Sequence, residues 1–191
     1  MNHLETLDQA IDEALAAIAS LKELKEQIEA AAQLMGESLD RGGKILACGN
    51  GGSAVDSAHF TTELLCRFDQ DRRSLAAFPL SLDGSMLTAV ANDYAFEEVF
   101  ARQVAGLGKA GDVLVGFSTS GNSLNVLRAL AQAREMGLKT VAVVGRDGGQ
   151  ASGLADVEIL IPVQPTARIQ EAMKVVIHLW CLRIEQILGL P

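Results

Sequence analysis

Aromatic side chains are scarce in this chain: six Phe, one Tyr and one Trp among 191 residues, or 4%. Hydrophobic residues make up 49%, so the core has to be aliphatic, filled by Leu, Val, Ile and Ala. Cysteine is scarce too. Cys48, Cys66 and Cys181 form no C-x-x-C pair and are odd in number, so no disulfide framework is expected, and unpaired thiols fit a reducing intracellular compartment. Positive charge is in deficit: 16 Lys and Arg against 24 Asp and Glu give a net charge of −8. The basic footprint of non-specific nucleic-acid binding is therefore missing in bulk, which leaves room only for a local basic pocket. No run reaches the ~18 apolar residues of a membrane span. The opening stretch, MNHLETLDQAIDEALAAIASL, carries acids where a signal peptide needs a basic region and a long apolar run. The expectation is a soluble, cytoplasmic protein.

What is present is strong periodicity. Leu4, Leu7, Ile11, Leu15 and Ile18, then Leu24, Ile28, Ala31 and Met35, recur at helical spacing. Residues 3 to 40 therefore read as helix, either as a hairpin broken near Ser20–Lys22 or as one long amphipathic stretch. Its apolar face packs on the chain's own sheet or on a partner subunit. Arg41-Gly42-Gly43 ends it, as glycine commonly does. From residue 44 the pattern alternates. Apolar runs at 44–48, 76–81, 112–118, 140–145 and 157–162 are continuous, as in strands buried on both faces. Helical patterns lie at 53–66, 85–106, 123–136, 148–154 and 167–188. Strand–helix alternation implies right-handed crossovers and a parallel sheet. The length fits one domain over 1–191, with a helical region over 1–42 and an α/β core plus C-terminal helix over 43–191. The expected fold is a three-layer α/β/α sandwich of about five parallel strands.

Ligands of open parallel sheets bind beyond the carboxyl ends of the strands. Here those ends read GNGGS at 49–53, STSGNS at 118–123 and GRDGG at 145–149. STSGNS sets the hydroxyls of Ser118, Thr119, Ser120 and Ser123 around Gly121, just before a helix. Hydroxyls and free N–H groups at a helix N-terminus cradle a phosphate without lysine. The stretch matches neither the nucleotide P-loop nor the dinucleotide fingerprint. Serines also cap helices and Ser-Gly-Asn is ordinary turn chemistry; the pairing of two glycine-rich loops at neighbouring strand ends favours the phosphate site. In the first loop, Gly51 and Gly52 permit close backbone approach to a ligand, and Asn50 can offer an amide to sugar hydroxyls.

Two groups of residues suit acid–base work. His59 and Glu63, four apart, share one face of the helix after GNGGS. Gln170 and His178 are eight apart on the last helix, offset by about 80° at ~100° per residue, and line one cleft wall. Two imidazoles and a carboxylate are a catalytic zinc set, although glutamine is an unusual ligand. The plainer readings are a surface His–Glu pair, a solvated Glu171 and a core histidine at 178; His3 reads as terminal and inert.

The strand–GNGGS–helix and strand–STSGNS–helix arrangement, with CGNGGS, AND (91–93), GDVLVGFSTSGNS and RIQEAMKVVIH, resembles a sugar isomerase (SIS) domain, and within it the phosphoheptose isomerase family. The resemblance runs over nearly the whole chain. It implies conversion of D-sedoheptulose 7-phosphate to D-glycero-D-manno-heptose 7-phosphate through an enediol, in heptose biosynthesis. It implies zinc on His59, Glu63, Gln170 and His178, with Glu63 and His178 as the acid–base pair. It implies substrate contacts from Asn50, Gly51, Gly52, Ser53, Glu63, Asn92, Asp93, Ser118, Thr119, Ser120, Ser123 and Gln170. It also implies a homotetramer, in which His178 can complete a neighbour's site. No nucleic-acid or membrane partner is expected.

The chain departs from the family at Ala54-Val55, where a more polar pair is common, in PVQPTARIQEA, which is shorter or less aromatic than the usual approach, and at Met173, where a further histidine can occur. These changes bear on substrate preference. A sister group of SIS tetramers binds the replication initiator as an adaptor, but typically lacks the glutamate found here at 63. A sugar-phosphate-sensing regulator would need neither base nor metal, and would usually add a DNA-binding domain.

Overall fold

The computed structural model describes residues 3–191; Met1 and Asn2, the start of the expected helical region, lie outside the described residues. The chain forms helix α1 (His3–Ser20), a 3-10 turn (Leu21–Leu24) and α2 (Lys25–Asp40), followed by strand β1 (Ile45–Gly49), α3 (Gly52–Leu65) and β2 (Ala77–Pro79). Next come α4 (Gly84–Asp93), α5 (Ala101–Leu107), β3 (Val113–Ser118), α6 (Leu124–Glu135), β4 (Lys139–Gly145), β5 (Val157–Ile161) and α7 (Thr166–Ile187).

The five strands form one parallel sheet in the order β2-β1-β3-β4-β5. Helices cover both faces, so this is an α/β/α sandwich. Each central strand buries alternate side chains on opposite faces. Ile45, Ala47, Val113, Val115, Phe117, Val141 and Val143 join the core formed with α2, α3 and α7. Leu46, Cys48, Leu114, Ala142 and Val144 join the core formed with α4, α5 and α6. Two-sided burial explains why these strands read as unbroken apolar runs. The chain's one tryptophan, Trp180, is fully buried on α7. It donates its indole N–H to Ile28 O of α2 at 3.2 Å and packs against Phe60 and Phe117.

Several local expectations change. The helical pattern at 85–106 is two helices, because Tyr94 and Ala95 leave helical geometry and a 3-10 turn follows at Phe96–Glu98. Asn92 and Asp93 therefore close α4 instead of interrupting a longer helix. The segment at 148–154 holds only a 3-10 turn, Gly149–Ala151, since Gly148, Gly149 and Gly153 all take positive φ. The run at 76–81 shortens to a three-residue edge strand ending on Pro79, which has no N–H to give a ladder.

Strand order reverses between β1 and β3. The helix after β1 packs on one face of the sheet and the helix after β3 on the other. That switch point opens a crevice at the carboxyl ends of the two strands, and it lies between the GNGGS and STSGNS loops.

Candidate active site

The first loop is shaped by close approaches. A Cβ on Gly49 would come within 2.5 Å of Ser53 O, and one on Gly52 within 2.1 Å of Gln170 Nε2. Glycine at 52 thus lets the Gln170 amide of α7 rest against the start of α3. Asn50 exchanges two 2.8 Å hydrogen bonds with Asn125 of α6. These bonds tie the first loop to the helix that follows the second. Ser53 is buried at the start of α3.

The second loop is held by its own hydroxyls and by the third loop. Ser118 Oγ donates to Ser123 Oγ at 3.0 Å, and Ser120 Oγ accepts from Asn122 N at 3.1 Å. Ser123 takes the N-cap position of α6 without spending its side chain on a cap bond. Thr119 and Ser120 are half-buried and Ser118 is buried. Gly121 has φ +64°, and a Cβ there would lie 1.8 Å from Gly148 O. Gly121 O accepts from Ala151 N at 2.9 Å, and Asn122 Oδ1 accepts from Gln150 N at 3.0 Å. The arrangement is a hydroxyl-rich turn leading into a helix N-terminus, braced from behind. Such a turn suits an anion.

Beside these loops, α3 and α7 run against each other with two polar stripes in register. Gly52, Asp56, His59 and Glu63 lie along α3; Gln170, Lys174 and His178, each four apart, lie along α7. At one end Gln170 meets Gly52. At the other, His59 Nε2 lies 3.2 Å from Glu63 Oε1 and 3.4 Å from His178 Nε2. The two imidazoles meet edge to face at 5.1 Å, and Phe68 packs on His178 at 5.7 Å. Between the ends, Lys174 Nζ pairs with Asp56 Oδ1 at 2.8 Å and approaches His59 Nδ1 at 3.5 Å. A cavity of about 350 Å³ lined by Gly52, Val55, Asp56, Gln170, Glu171 and Lys174 opens along this seam.

The structure therefore brings together His59, Glu63 and His178, and places Gln170 two turns along α7 from His178. Asn92 and Asp93 are exposed at the end of α4, bonded to each other at 2.9 Å, in the helical layer opposite α3 and α7. Two imidazoles and a carboxylate have the chemistry of a zinc site, whose ligand atoms stand about 3.3 Å apart at Zn–N and Zn–O bonds near 2.0–2.1 Å. The spacings around His59 Nε2 match that edge. Glu63 Oε1 and His178 Nε2 each approach this one nitrogen. Among the described residues no three His, Cys, Asp or Glu side chains are spaced to hold an ion as they stand. The donor set fits zinc in its chemistry, and binding requires the side chains to turn.

Several contributors carry no motif. Arg72, whose side chain is almost fully buried, donates to Glu185 Oε1 at 2.7 Å and to the carbonyls of Glu63 and Leu64 at 2.8 Å. It clamps the end of α3 that presents Glu63. Burial, and then the nearby Glu63 and Glu185 charges, push the Cys181 thiol above its ordinary range. Lys174 could have been found from its i+4 spacing to both Gln170 and His178. Nothing local in the sequence marks Asp56, Phe68, Arg72 or Asn125.

The SIS domain family matches residues 9–145. A phosphoheptose isomerase of Helicobacter pylori (strain P12) is 50% identical over 167 residues, 87% of each chain. One from Thiobacillus denitrificans is 52% identical over 171 residues, covering 86% of this chain and 85% of that one. The solved phosphoheptose isomerase of Neisseria gonorrhoeae superposes with a TM-score of 0.91 at 44% identity, over 96% of this chain and 98% of that one. The chain belongs to the SIS-domain family and, within it, to the phosphoheptose isomerases.

Proposed function

We propose that this protein, a sugar-phosphate isomerase by family, converts D-sedoheptulose 7-phosphate to D-glycero-D-manno-heptose 7-phosphate. One observation carries the assignment of roles: a carboxylate and an imidazole, Glu63 and His178, converge on His59 at the α3–α7 seam, in a fold whose strand ends also carry a hydroxyl-rich loop suited to phosphate.

In the proposed reaction the phosphate sits on Ser118, Thr119, Ser120 and Ser123. Asn50, Gly51, Gly52, Ser53, Asn92, Asp93 and Gln170 are assigned to the sugar. The Glu63 carboxylate takes a proton from C1 while a ring N–H of His178 gives one to the carbonyl oxygen at C2, producing the enediol. Glu63 then returns its proton to C2, and the hydroxyl on C1 gives its proton back to His178. No proton is gained or lost overall.

Zinc is proposed as the resident ion, held by His59, Glu63 and His178, with Gln170 as a fourth ligand once its amide leaves Gly52. When bound, the ion supplies polarisation of the carbonyl and stabilisation of the enediolate. A nitrogen bonded to metal cannot also move a proton, so His178 serves as acid only through a nitrogen not on the metal. A homotetramer is proposed on the apolar face of α1, where Leu4, Leu7, Ile11 and Leu15 are exposed, and on a neighbouring groove lined by Leu21, Ile28, Val175 and Leu179. Cytoplasmic residence is proposed on three unpaired thiols. Among the described residues no helix is long and apolar enough to cross a membrane.

The test is incubation with sedoheptulose 7-phosphate followed by NMR. Appearance of the aldose C1 proton, with exchange of one carbon-bound proton in heavy water, supports the assignment. No aldose with this substrate, from protein supplied with zinc, overturns it.

A further inference from the structure

Lys174, its side chain 40% exposed at the rim of the α3–α7 seam, is the one cation on α7 between Gln170 and His178. Three observations fix its place. Its ammonium lies 2.8 Å from Asp56 Oδ1, on a side chain only 2% exposed. It lies 3.5 Å from His59 Nδ1. The other Asp56 oxygen, Oδ2, is buried with no hydrogen-bond partner, so the lysine is the sole charge neutralising that carboxylate among the described residues.

An ammonium can only donate, and a neutral imidazole has one donor and one acceptor nitrogen. At 3.5 Å an Nζ–H can reach Nδ1; that contact would make Nδ1 the acceptor of His59 and put the ring proton on Nε2. That Nε2–H then donates to Glu63 Oε1 at 3.2 Å. A metal-bound histidine usually does the reverse, donating its other ring N–H to a carboxylate, carbonyl or water. For His59 to offer Nε2 to an ion, its proton must pass to Nδ1, where it would meet the ammonium. Lys174 therefore opposes metal capture and favours the arrangement in which His59 holds Glu63 through a hydrogen bond.

We propose that Lys174, anchored on buried Asp56, is a positioning residue that fixes the tautomer of His59 and thereby lowers the site's affinity for zinc. The inference rests on the proposed site, and the metal-free measurement below reads it without substrate or turnover.

The experiment uses metal-free full-length protein labelled with ¹⁵N-histidine, at a pH above the imidazole range. Only His3, His59 and His178 contribute, and His59→Gln and His178→Gln assign the signals. The expected wild-type spectrum shows His59 with Nε2 protonated and Nδ1 as an unprotonated nitrogen accepting a hydrogen bond. In Lys174→Met the Nδ1 signal moves toward that of a free acceptor nitrogen; in Lys174→Arg, which keeps a donor, it stays. Competition with a chromophoric chelator then reads zinc affinity, expected to rise about tenfold or more in Lys174→Met. A His59 proton on Nδ1 in the wild type overturns the proposal even if the variants fail to fold. So does an Nδ1 signal, or a zinc affinity, unchanged in a folded Lys174→Met protein. Loss of isomerase activity alone bears on the catalytic reading and not on this one.

Discussion

The Nε2 atoms of His59 and His178 lie 3.4 Å apart, although 119 residues separate them in the chain. Each sits on a helix that begins at the carboxyl end of the sheet, and the helices meet along polar stripes that only their packing puts in register.

Replacing Glu63 with Gln keeps the shape of that meeting point and removes the carboxylate. Turnover of sedoheptulose 7-phosphate is expected to fall by about 10²–10⁴-fold, with binding, followed by calorimetry, nearly unchanged. Full activity in a folded Glu63→Gln protein would remove Glu63 from the acid–base pair.

The phosphate-type loop depends on Gly121. Alanine there must adopt a positive φ, which costs about 1–2 kcal/mol, and its Cβ would collide with the Gly148 carbonyl. Gly121→Ala is expected to lower thermal stability and to raise KM more than it lowers kcat. An unchanged KM for the sugar phosphate would show that the loop does not hold it.

Arg72 and Glu185 form a nearly water-free ion pair, with side chains 1% and 6% exposed. Removing one partner strands the other, so Arg72→Met is expected to cost about 3–5 kcal/mol in denaturant unfolding. Because Arg72 also holds the Glu63 carbonyl, kcat should fall with stability. A loss below about 1 kcal/mol would mean that the pair behaves like a surface bridge.

The three thiols should react at different rates. Burial pushes Cys48 up to about 12, and burial with two neighbouring carboxylates raises Cys181, whereas Cys66 is exposed. The thiolate is the reactive form. Native protein at neutral pH should therefore show one fast thiol with a disulfide reagent, and all three in denaturant. A second fast thiol in the native state would show that the core around β1 or α7 opens readily.

Much of the fold was legible because burial on both sheet faces leaves continuous apolar runs. The runs at 112–118 and 140–145 became β3 and β4 nearly unchanged. The helical pattern at 85–106 misled because apolar spacing continues across Tyr94 and Ala95, where the backbone turns. In the site, GNGGS, STSGNS and the His59–Glu63 pair were visible as local patterns. Lys174 was overlooked because a lysine on a helix usually faces solvent, and nothing nearby in sequence announces a buried carboxylate opposite it. The bond from the Asn50 amide to Asn125, 75 residues away, had no local signal.

The sequence by itself determined the layered parallel architecture, the placing of glycine- and serine-rich loops at strand ends, and the family. These follow from periodicity and from short motifs, which act over a few residues. Only the tertiary structure decided that the stripes of α3 and α7 align, that Lys174 stands between Asp56 and His59, and that Gln170 rests on Gly52 away from the histidines. Those contacts depend on how two helices pack across a sheet, a relationship set by side-chain volumes throughout the core and written in no single stretch of the chain.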